Sequence, residues 1–507
     1  VMTDWFGGKD PVAQMKAGNN LLMPGTAQQS KAIIDAVNDG SLDVKVLDAN
    51  IAGMLQVILE SSSFKGYKYS DKPNLEKDAA VSGMAAAEGM VLLKNKSNAL
   101  PLNNAKKIAL FGNTSYDIIA GGTGSGDVNK AYTVSLLQGL SNAGYTADAN
   151  LANVYTTYLK EEKIKHPKKN FFQEFMNPTP PPAEFFASTD LIAQNASADD
   201  IAIITIGRNA GEGRDRKVDN DFNLSDTEKT LIKNVTEAFY AQHKKVVVVL
   251  NIGGVIETAS WNAMPDAILL AWQPGMEAGN AIANVLSGKI NPSGKLATTF
   301  PVAYNDVPSA KNFPGKEFPE KATTGMMGMK AIPAEVTYEE GIYVGYRYYN
   351  TFNVKPAYEF GYGLAYTTFD YSNLKLSAAS FNGKINATVT VTNTGSVAGK
   401  EVVQLYVSAP SKKSDKPAEE LKGFAKTSLL QPGKSQTITF TINAEDLASF
   451  DTQSTSWIAE AGIYVVKIGA SSANIKQTAT FSLAKELVTE KDNKVLVPQV
   501  FFNELKK

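Results

Sequence analysis

The chain has 507 residues, 43% of them apolar and 20% charged, room for two to four soluble domains each with its own core. A net charge of −1 with no basic run gives no footing for nucleic acid or an anionic membrane, and no apolar run approaches the length of a transmembrane span. With no cysteine and only two histidines, His166 and His243, disulfides, a cysteine nucleophile and thiolate metal sites are excluded, and a Ser-His-Asp triad or a multi-histidine metal site is disfavoured; paired carboxylates lead as catalytic groups, with no metal or organic cofactor implied.

The opening Val1-Met2-Thr3-Asp4-Trp5-Phe6-Gly7-Gly8 reads as the last turn of a strand that delivers Asp4 into a pocket. The indole of Trp5 stands beside it, an aromatic face of the kind on which the C–H surface of a sugar stacks. The plainer alternative is an N-terminal tail. A start at Val1, without initiator or signal sequence, reads as the interior of a longer protein. Residues 11–16 are one or two helical turns, and 21–25 are a short strand ended by Pro24-Gly25. Residues 28–38 form a helix, and residues 43–60 form another, with Val44, Val46, Leu47, Ile51, Met54, Leu55, Ile58 and Leu59 at helical spacing. These are barrel-like pieces, too few to close a barrel, and residues 61–73 are a polar linker.

From Ala79 a helix of small residues leads to the apolar run 90–93, and residues 108–112 read as the first strand of an α/β layer. The glycine-rich loop 121–127 lacks the Gly-Lys-Ser/Thr ending of a P-loop and the spacing of the dinucleotide fingerprint. A loop shaped to approach a bound sugar fits it better, with Ser125 as a hydrogen-bonding group. A helix at 132–140 and an irregular stretch at 160–186 follow. The latter holds Pro178-Thr179-Pro180-Pro181-Pro182 between Phe171, Phe172, Phe175, Phe185 and Phe186; a loop pinned to the surface by its rings is favoured over a lid that stacks on substrate.

Strand 201–206, helix 226–242, strands 246–250 and 267–271, and helix 275–286 then alternate. Continuous apolar strands between helices imply a mainly parallel sheet covered on both faces. Between the first strand and the capping box Ser225-x-x-Glu228 lies Asn209-Ala210-Gly211-Glu212-Gly213-Arg214-Asp215-Arg216. Ligands of open α/β sheets bind beyond the carboxyl ends of strands, and flanking glycines let the backbone present Glu212. The alternative is a solvated charged loop in which Glu212 pairs with Arg214 or Arg216. Residues 302–336 are a connector without periodicity. Tyr346, Tyr348 and Tyr349 with Arg347 suit interdomain packing better than ligand contact. From Phe369 onward, short alternating strands at 385–393, 401–408, 435–442, 462–469 and 477–483, separated by turn signals, argue a β-sandwich without chemistry of its own.

Taken in order, Val-Met-Thr-Asp-Trp at 1–5, Ala-Gly-Asn-Asn-Leu-Leu-Met-Pro at 17–24, Ala-Glu-Gly-Met-Val-Leu-Leu-Lys-Asn at 87–95, Gly-Glu-Gly at 211–213, Asn-Pro-Ser-Gly-Lys-Leu at 291–296, Tyr-Glu-Phe-Gly-Tyr-Gly-Leu at 358–364 and Asn-Thr-Gly at 393–395 resemble glycoside hydrolase family 3. The resemblance is to bacterial β-glucosidases built as barrel, α/β sandwich and fibronectin type III domain. It implies a multidomain α/β plus all-β chain: the C-terminal part of a (β/α) barrel with linker at 1–72, an α/β/α sandwich at 73–301, a connector at 302–365, a fibronectin type III-like domain at 366–485 and a tail at 486–507.

By the same resemblance Asp4 is the nucleophile, Glu212 the general acid/base, Trp5 the residue that lines the sugar site and stacks the leaving group, and Ser125 a sandwich residue that reaches substrate. Retaining hydrolysis needs its two carboxyl groups about 5–5.5 Å apart, the acid protonated; Arg214 and Arg216 are therefore expected to point outward or toward other acids. In the family the barrel strands before the nucleophile hold the glycone, through an acid, arginines and a Lys-His pair, and those positions are absent here. The implied partners are a β-glucoside or oligosaccharide substrate and a missing N-terminal barrel polypeptide as a second chain, with a dimer as one option. Cytoplasmic, periplasmic and secreted locations stay open. β-Xylosidase or arabinosidase activity and a non-catalytic carbohydrate-binding remnant are the alternatives. An N-acetylglucosaminidase is disfavoured, since that branch uses a barrel His-Asp pair.

Overall fold

The computed structural model describes residues 1–507 apart from 104, 168, 170–172, 174–178, 213–214, 325–329, 496 and 498–499. The chain forms two compact units, one of residues 1–74, 447–460 and 486–503, the other of 75–446, 461–485 and 504–507.

In the first unit, Met2 bridges Leu21 in parallel. The amide of Thr3 donates to the carbonyl of Leu21 at 3.0 Å and that of Phe6 to Met23 at 2.9 Å, so residues 1–6 and 21–23 lie side by side like the ends of two parallel strands. Helices Pro11–Lys16, Ala27–Asn38 and Val44–Glu60 follow, each opened by a side-chain cap from Asp10, Thr26 and Asp43. Met15, Ala36 and Leu42 are the buried centre, with Val12, Leu22, Ile33, Val37, Val46 and Leu47 packed on them. Three short antiparallel strands, Ser449–Asp451, Ser456–Ala459 and Leu487–Lys491, complete the unit. Residues 486–507 thus contain a strand.

The second unit is built on a six-stranded sheet: β1 (Val91–Asn95), β2 (Lys107–Phe111), β3 (Thr146–Ala147), β4 (Ile201–Arg208), β5 (Lys245–Ile252) and β6 (Ala267–Leu270), in the order β1-β6-β5-β4-β2-β3. All neighbours are parallel except the edge pair β1 and β6. The uninterrupted apolar runs are explained by the pleat. Ala202, Ile204, Ile206, Val246, Val248 and Leu250 enter the core under helices Ala149–Lys165, Thr189–Ala198 and Asp226–Ala241. Ile201, Ile203, Val247 and Val249 enter the opposite core, under Leu75–Gly89, Leu136–Asn142 and Ala278–Leu286. Both faces are dry because successive residues point to opposite sides. The helix expected at 132–140 runs Leu136–Asn142, after the cap Ser135. The stretch expected to be irregular from 160 is helical to Lys165.

Seven strands form the all-β part of this unit: Phe369–Leu376, Lys384–Asn393 and Ser435–Asn443 in one sheet, Glu420–Lys426, Val402–Ser408, Gly462–Ser471 and Asn474–Leu483 in the other. Lys384–Asn393 alternates buried and half-buried residues, as a strand with one face on a sandwich core does. This part is tied to the α/β layer by charge and shape. Lys295 reaches Glu401 at 2.9 Å, Glu88 binds both Lys400 and Lys426, and Lys426 also donates to Ser293 at 3.0 Å. Asn291 donates to the Ala398 carbonyl at 2.9 Å and accepts from the Tyr366 amide at 2.8 Å. Tyr346 accepts from the amide of Leu421 at 2.8 Å and lies on Phe360 and Tyr406, so it packs between elements.

Candidate active site

Strand β3 lies on one side of β2 and β4 on the other, so the chain reverses direction across the sheet between β2 and β4. Such a switch point leaves a crevice beyond the carboxyl ends of the two strands. Both candidate loops of this unit emerge there: residues 121–127 beyond β2 and residues 209–221 directly after β4.

The two loops are stitched together. Thr123 bridges Gly211 in parallel, its amide donates to the Ala210 carbonyl at 3.1 Å, and its hydroxyl donates to the Glu212 carbonyl at 3.1 Å. Glycine is required at the contact. Gly124 has φ +67°, and a Cβ there would lie 2.5 Å from the Cβ of Glu212; Gly211 has φ +153°, and a Cβ there would lie 2.4 Å from the Thr123 nitrogen. The Glu212 carboxylate then accepts from Ser125 twice over: the amide donates to Oε2 at 3.0 Å, and the hydroxyl lies 2.8 Å from Oε1 and 3.0 Å from Oε2. Glu212 is exposed. The residue expected to touch substrate is thus bound to the residue expected to carry the proton.

The rest of the Glu212 loop is anchored away from it. Arg208, at the end of β4, grips buried Glu228 through two bonds of 2.6 and 2.7 Å and donates to the Asp221 carbonyl at 2.8 Å. The capping box at Ser225 and Glu228 forms. Arg216 turns to Asp221 at 2.6 Å and to the Val255 carbonyl at 2.7 Å, satisfying the expectation that it faces another acid; Arg214 lies outside the described residues. Desolvation works to raise the Asp221 pKa, but the bond and charge of Arg216, with the Lys217 amide and Arg208, outweigh it and hold the pKa below the usual value. Asn209 accepts from Gln273 at 2.9 Å.

In the other unit Asp4 stands at the end of the extended residues 1–3. It is exposed, accepts from the Trp5 amide at 2.7 Å and closes a turn through its carbonyl to the Gly7 amide at 3.1 Å. Trp5 is 64% exposed and Phe6, with φ +60°, 63%. Phe6 thus takes a left-handed conformation inside the turn that Asp4 and Gly7 close. Of the aromatic loop, Phe171, Phe172 and Phe175 lie outside the described residues. Phe185 stacks edge-on against Tyr155 at 5.0 Å and leans on Tyr158 at 5.3 Å, a pin into the surface, whereas Phe186 is exposed.

One residue had no sequence signal. Glu184 accepts from the amides of Asn113 and Phe185, each at 3.2 Å, at the carboxyl end of β2. Its pKa is pushed up to about 8, by burial first. Among the described residues no three His, Cys, Asp or Glu gather as a metal site.

An α/β layer that presents a carboxylate at its switch point, followed by a fibronectin-like sandwich, defines a class, and comparison with known families gives the same answer. The glycosyl hydrolase family 3 C-terminal domain matches residues 90–346 and the fibronectin type III-like domain residues 401–472; the chain belongs to glycosyl hydrolase family 3. It is similar to β-glucosidase A of Butyrivibrio fibrisolvens, 38% identical over 83% of this chain and 53% of the relative. Thermostable β-glucosidase B of Acetivibrio thermocellus is 34% identical over 94% of this chain and 57% of its own length. The structure of β-glucosidase 3B from Thermotoga neapolitana in complex with α-D-glucose is 47% identical, with a TM-score of 0.83 over 97% of this chain and 67% of that one. The chain therefore spans a little over half the length of the two curated relatives.

Proposed function

We propose that this chain is the greater part of a retaining, exo-acting β-glucosidase that removes terminal non-reducing β-D-glucosyl residues from gluco-oligosaccharides or aryl glucosides. Asp4 attacks the anomeric carbon and forms a glycosyl–enzyme ester while the bond to the departing oxygen breaks. Glu212 gives its proton to that oxygen, then takes one from the water that cleaves the ester. Trp5 stacks the leaving group. The observation that carries the reading is the presentation of Glu212, exposed and held by two loops at the switch point of the sheet.

Activity further requires the barrel portion that holds the glycone, either continuous with this sequence or as a second polypeptide. Two observations support this: the share of each relative that the chain leaves uncovered, and the apolar side chains that helix Val44–Glu60 leaves exposed, among them Ile51, Leu55, Ile58 and Leu59.

The test is turnover of aryl β-glucoside and β-xyloside by the chain with and without that portion, followed by inactivation with a 2-deoxy-2-fluoro-β-glucoside bearing a good leaving group. Faster glucoside turnover and a fluoroglucosyl mass on the peptide that contains Asp4 are expected. A label on any other carboxylate would sink the nucleophile assignment, preferred xyloside turnover would move the activity to a β-xylosidase, and sugar binding without turnover in either preparation would leave a carbohydrate-binding remnant.

A further inference from the structure

The contact between Ser125 and Glu212 suggests a division of labour within one carboxyl group. A backbone amide can only donate, so the oxygen that accepts from the Ser125 amide, Oε2 at 3.0 Å, must keep a lone pair toward it. The Ser125 hydroxyl is a rotor that stands 2.8 Å from Oε1 and 3.0 Å from Oε2. When Glu212 is ionised, the hydroxyl can donate to either oxygen. When Glu212 is protonated, the amide still donates to Oε2, and turning the hydroxyl to donate there as well leaves Oε1 to carry the proton free of Ser125. Thr123 fixes the register, since its hydroxyl and carbonyl hold the Glu212 backbone. No side chain larger than the hydrogen of Gly124 fits between them.

We propose that Ser125 is a positioning residue for general acid catalysis: through its amide and hydroxyl it makes Oε1 the oxygen that carries the transferable proton and aims it at the departing oxygen. This rests on the reading of Glu212 as the acid. In the step, the Oε1–H bond breaks as an O–H bond forms on the leaving group, and the electron pair of the broken glycosidic bond stays with that oxygen. The carboxylate left behind is stabilised by both Ser125 donors.

The two roles open to Ser125 separate by leaving group. A contact to the sugar matters equally for every glucoside, whereas positioning an acid matters only when the leaving group needs a proton. Ser125→Ala and Ser125→Thr should be compared with the unsubstituted active enzyme on cellobiose and on 2,4-dinitrophenyl β-glucoside, with Glu212→Ala as the reference. Glu212→Ala should lower the cleavage rate of cellobiose by roughly 100-fold or more and leave formation of the glycosyl–enzyme from the dinitrophenyl glucoside, read as the burst of dinitrophenol, nearly intact. Ser125→Ala should show the same pattern at roughly 10- to 100-fold, chiefly in kcat rather than KM, and Ser125→Thr should recover most of it. If Glu212→Ala shows the pattern and Ser125→Ala loses equally on both substrates, positioning is overturned and Ser125 is a sugar contact. If Glu212→Ala lacks the pattern, the acid assignment falls instead. Independently of any rate, a crystal structure of the unliganded enzyme with the Ser125 oxygen more than about 3.5 Å from both Glu212 oxygens, beyond hydrogen-bonding reach, would also overturn it.

Discussion

Glu184 shows how one half-buried carboxyl, desolvated by its neighbours, sets a pH dependence of stability. Burial raises its pKa to about 8; the Glu228 carboxylate adds to the rise, while the amides of Asn113 and Phe185 and the Arg208 guanidinium oppose it. In the unfolded chain the group titrates near about 4.3. Between those values the folded state keeps a proton that the unfolded state has released, so stability falls as pH rises, by at most about 1.4 kcal/mol per pH unit. Glu184→Gln should remove that slope. Urea unfolding midpoints at pH 5 and pH 8 are expected to lie closer together in the variant, and parallel behaviour of the two proteins would refute the assignment. Asp199, raised to about 6 chiefly by burial, is common to both proteins and cancels. Glu184 was illegible in sequence because its neighbours Pro180, Pro181 and Pro182 read as an extended surface segment, and its burial exists only once Asn113 is beside it. Asp4 and Glu212 were nameable because local signals flank them, an aromatic pair and a glycine pair. The bond between Ser125 and Glu212 joins residues 87 apart in sequence, which no local pattern encodes.

At the scale of elements, the loop that carries Glu212 is defined by where it is fastened. Arg208 ties the end of β4 to Glu228 in the first turn of helix Asp226–Ala241, and its bond to the Asp221 carbonyl closes the loop. Both side chains are largely withdrawn from water, so Arg208→Met leaves an uncompensated carboxylate and should cost about 3–5 kcal/mol, much of it recovered in the Arg208→Met/Glu228→Gln double variant. Chemical unfolding measures this; a single variant as stable as the parent would show that water reaches Glu228 in the native state. Strands β2, β4, β5 and β6 were legible because burial on both faces writes continuous apolar runs. Helix Ala149–Lys165 was not, since only Leu151, Tyr155 and Leu159 are buried, one residue per turn in an otherwise polar segment. The sheet of Ser449–Asp451, Ser456–Ala459 and Leu487–Lys491 escaped because its first two strands are short and its last is separated from them by two strands of the sandwich, and the tail seemed to follow the last domain.

At the scale of the molecule, several motifs that carry the family resemblance are joints. Glu88, Asn291, Ser293 and Lys295 all bind the all-β part, which explains why these polar residues stand beside apolar segments. The apolar face of helix Val44–Glu60 has no such account within its own unit. Ile51, Leu55, Ile58 and Leu59 recur at the spacing of one helical face and are each about half exposed. The small centre formed by Met15, Ala36 and Leu42 takes Val46 and Leu47, near the start of the helix, and these four lie beyond it. An aqueous surface gives no reason to keep four large aliphatic residues in register, whereas a covering polypeptide does. If the barrel portion is that cover, the 507-residue chain by itself should self-associate and bind a hydrophobic dye. Leu55→Lys with Ile58→Lys should make it monodisperse, and the same pair should abolish complementation by the separately supplied portion while helicity is retained. Sedimentation of the unsubstituted chain as a dye-negative monomer, or full complementation by the double variant, would show that this face is not where the rest of the enzyme docks.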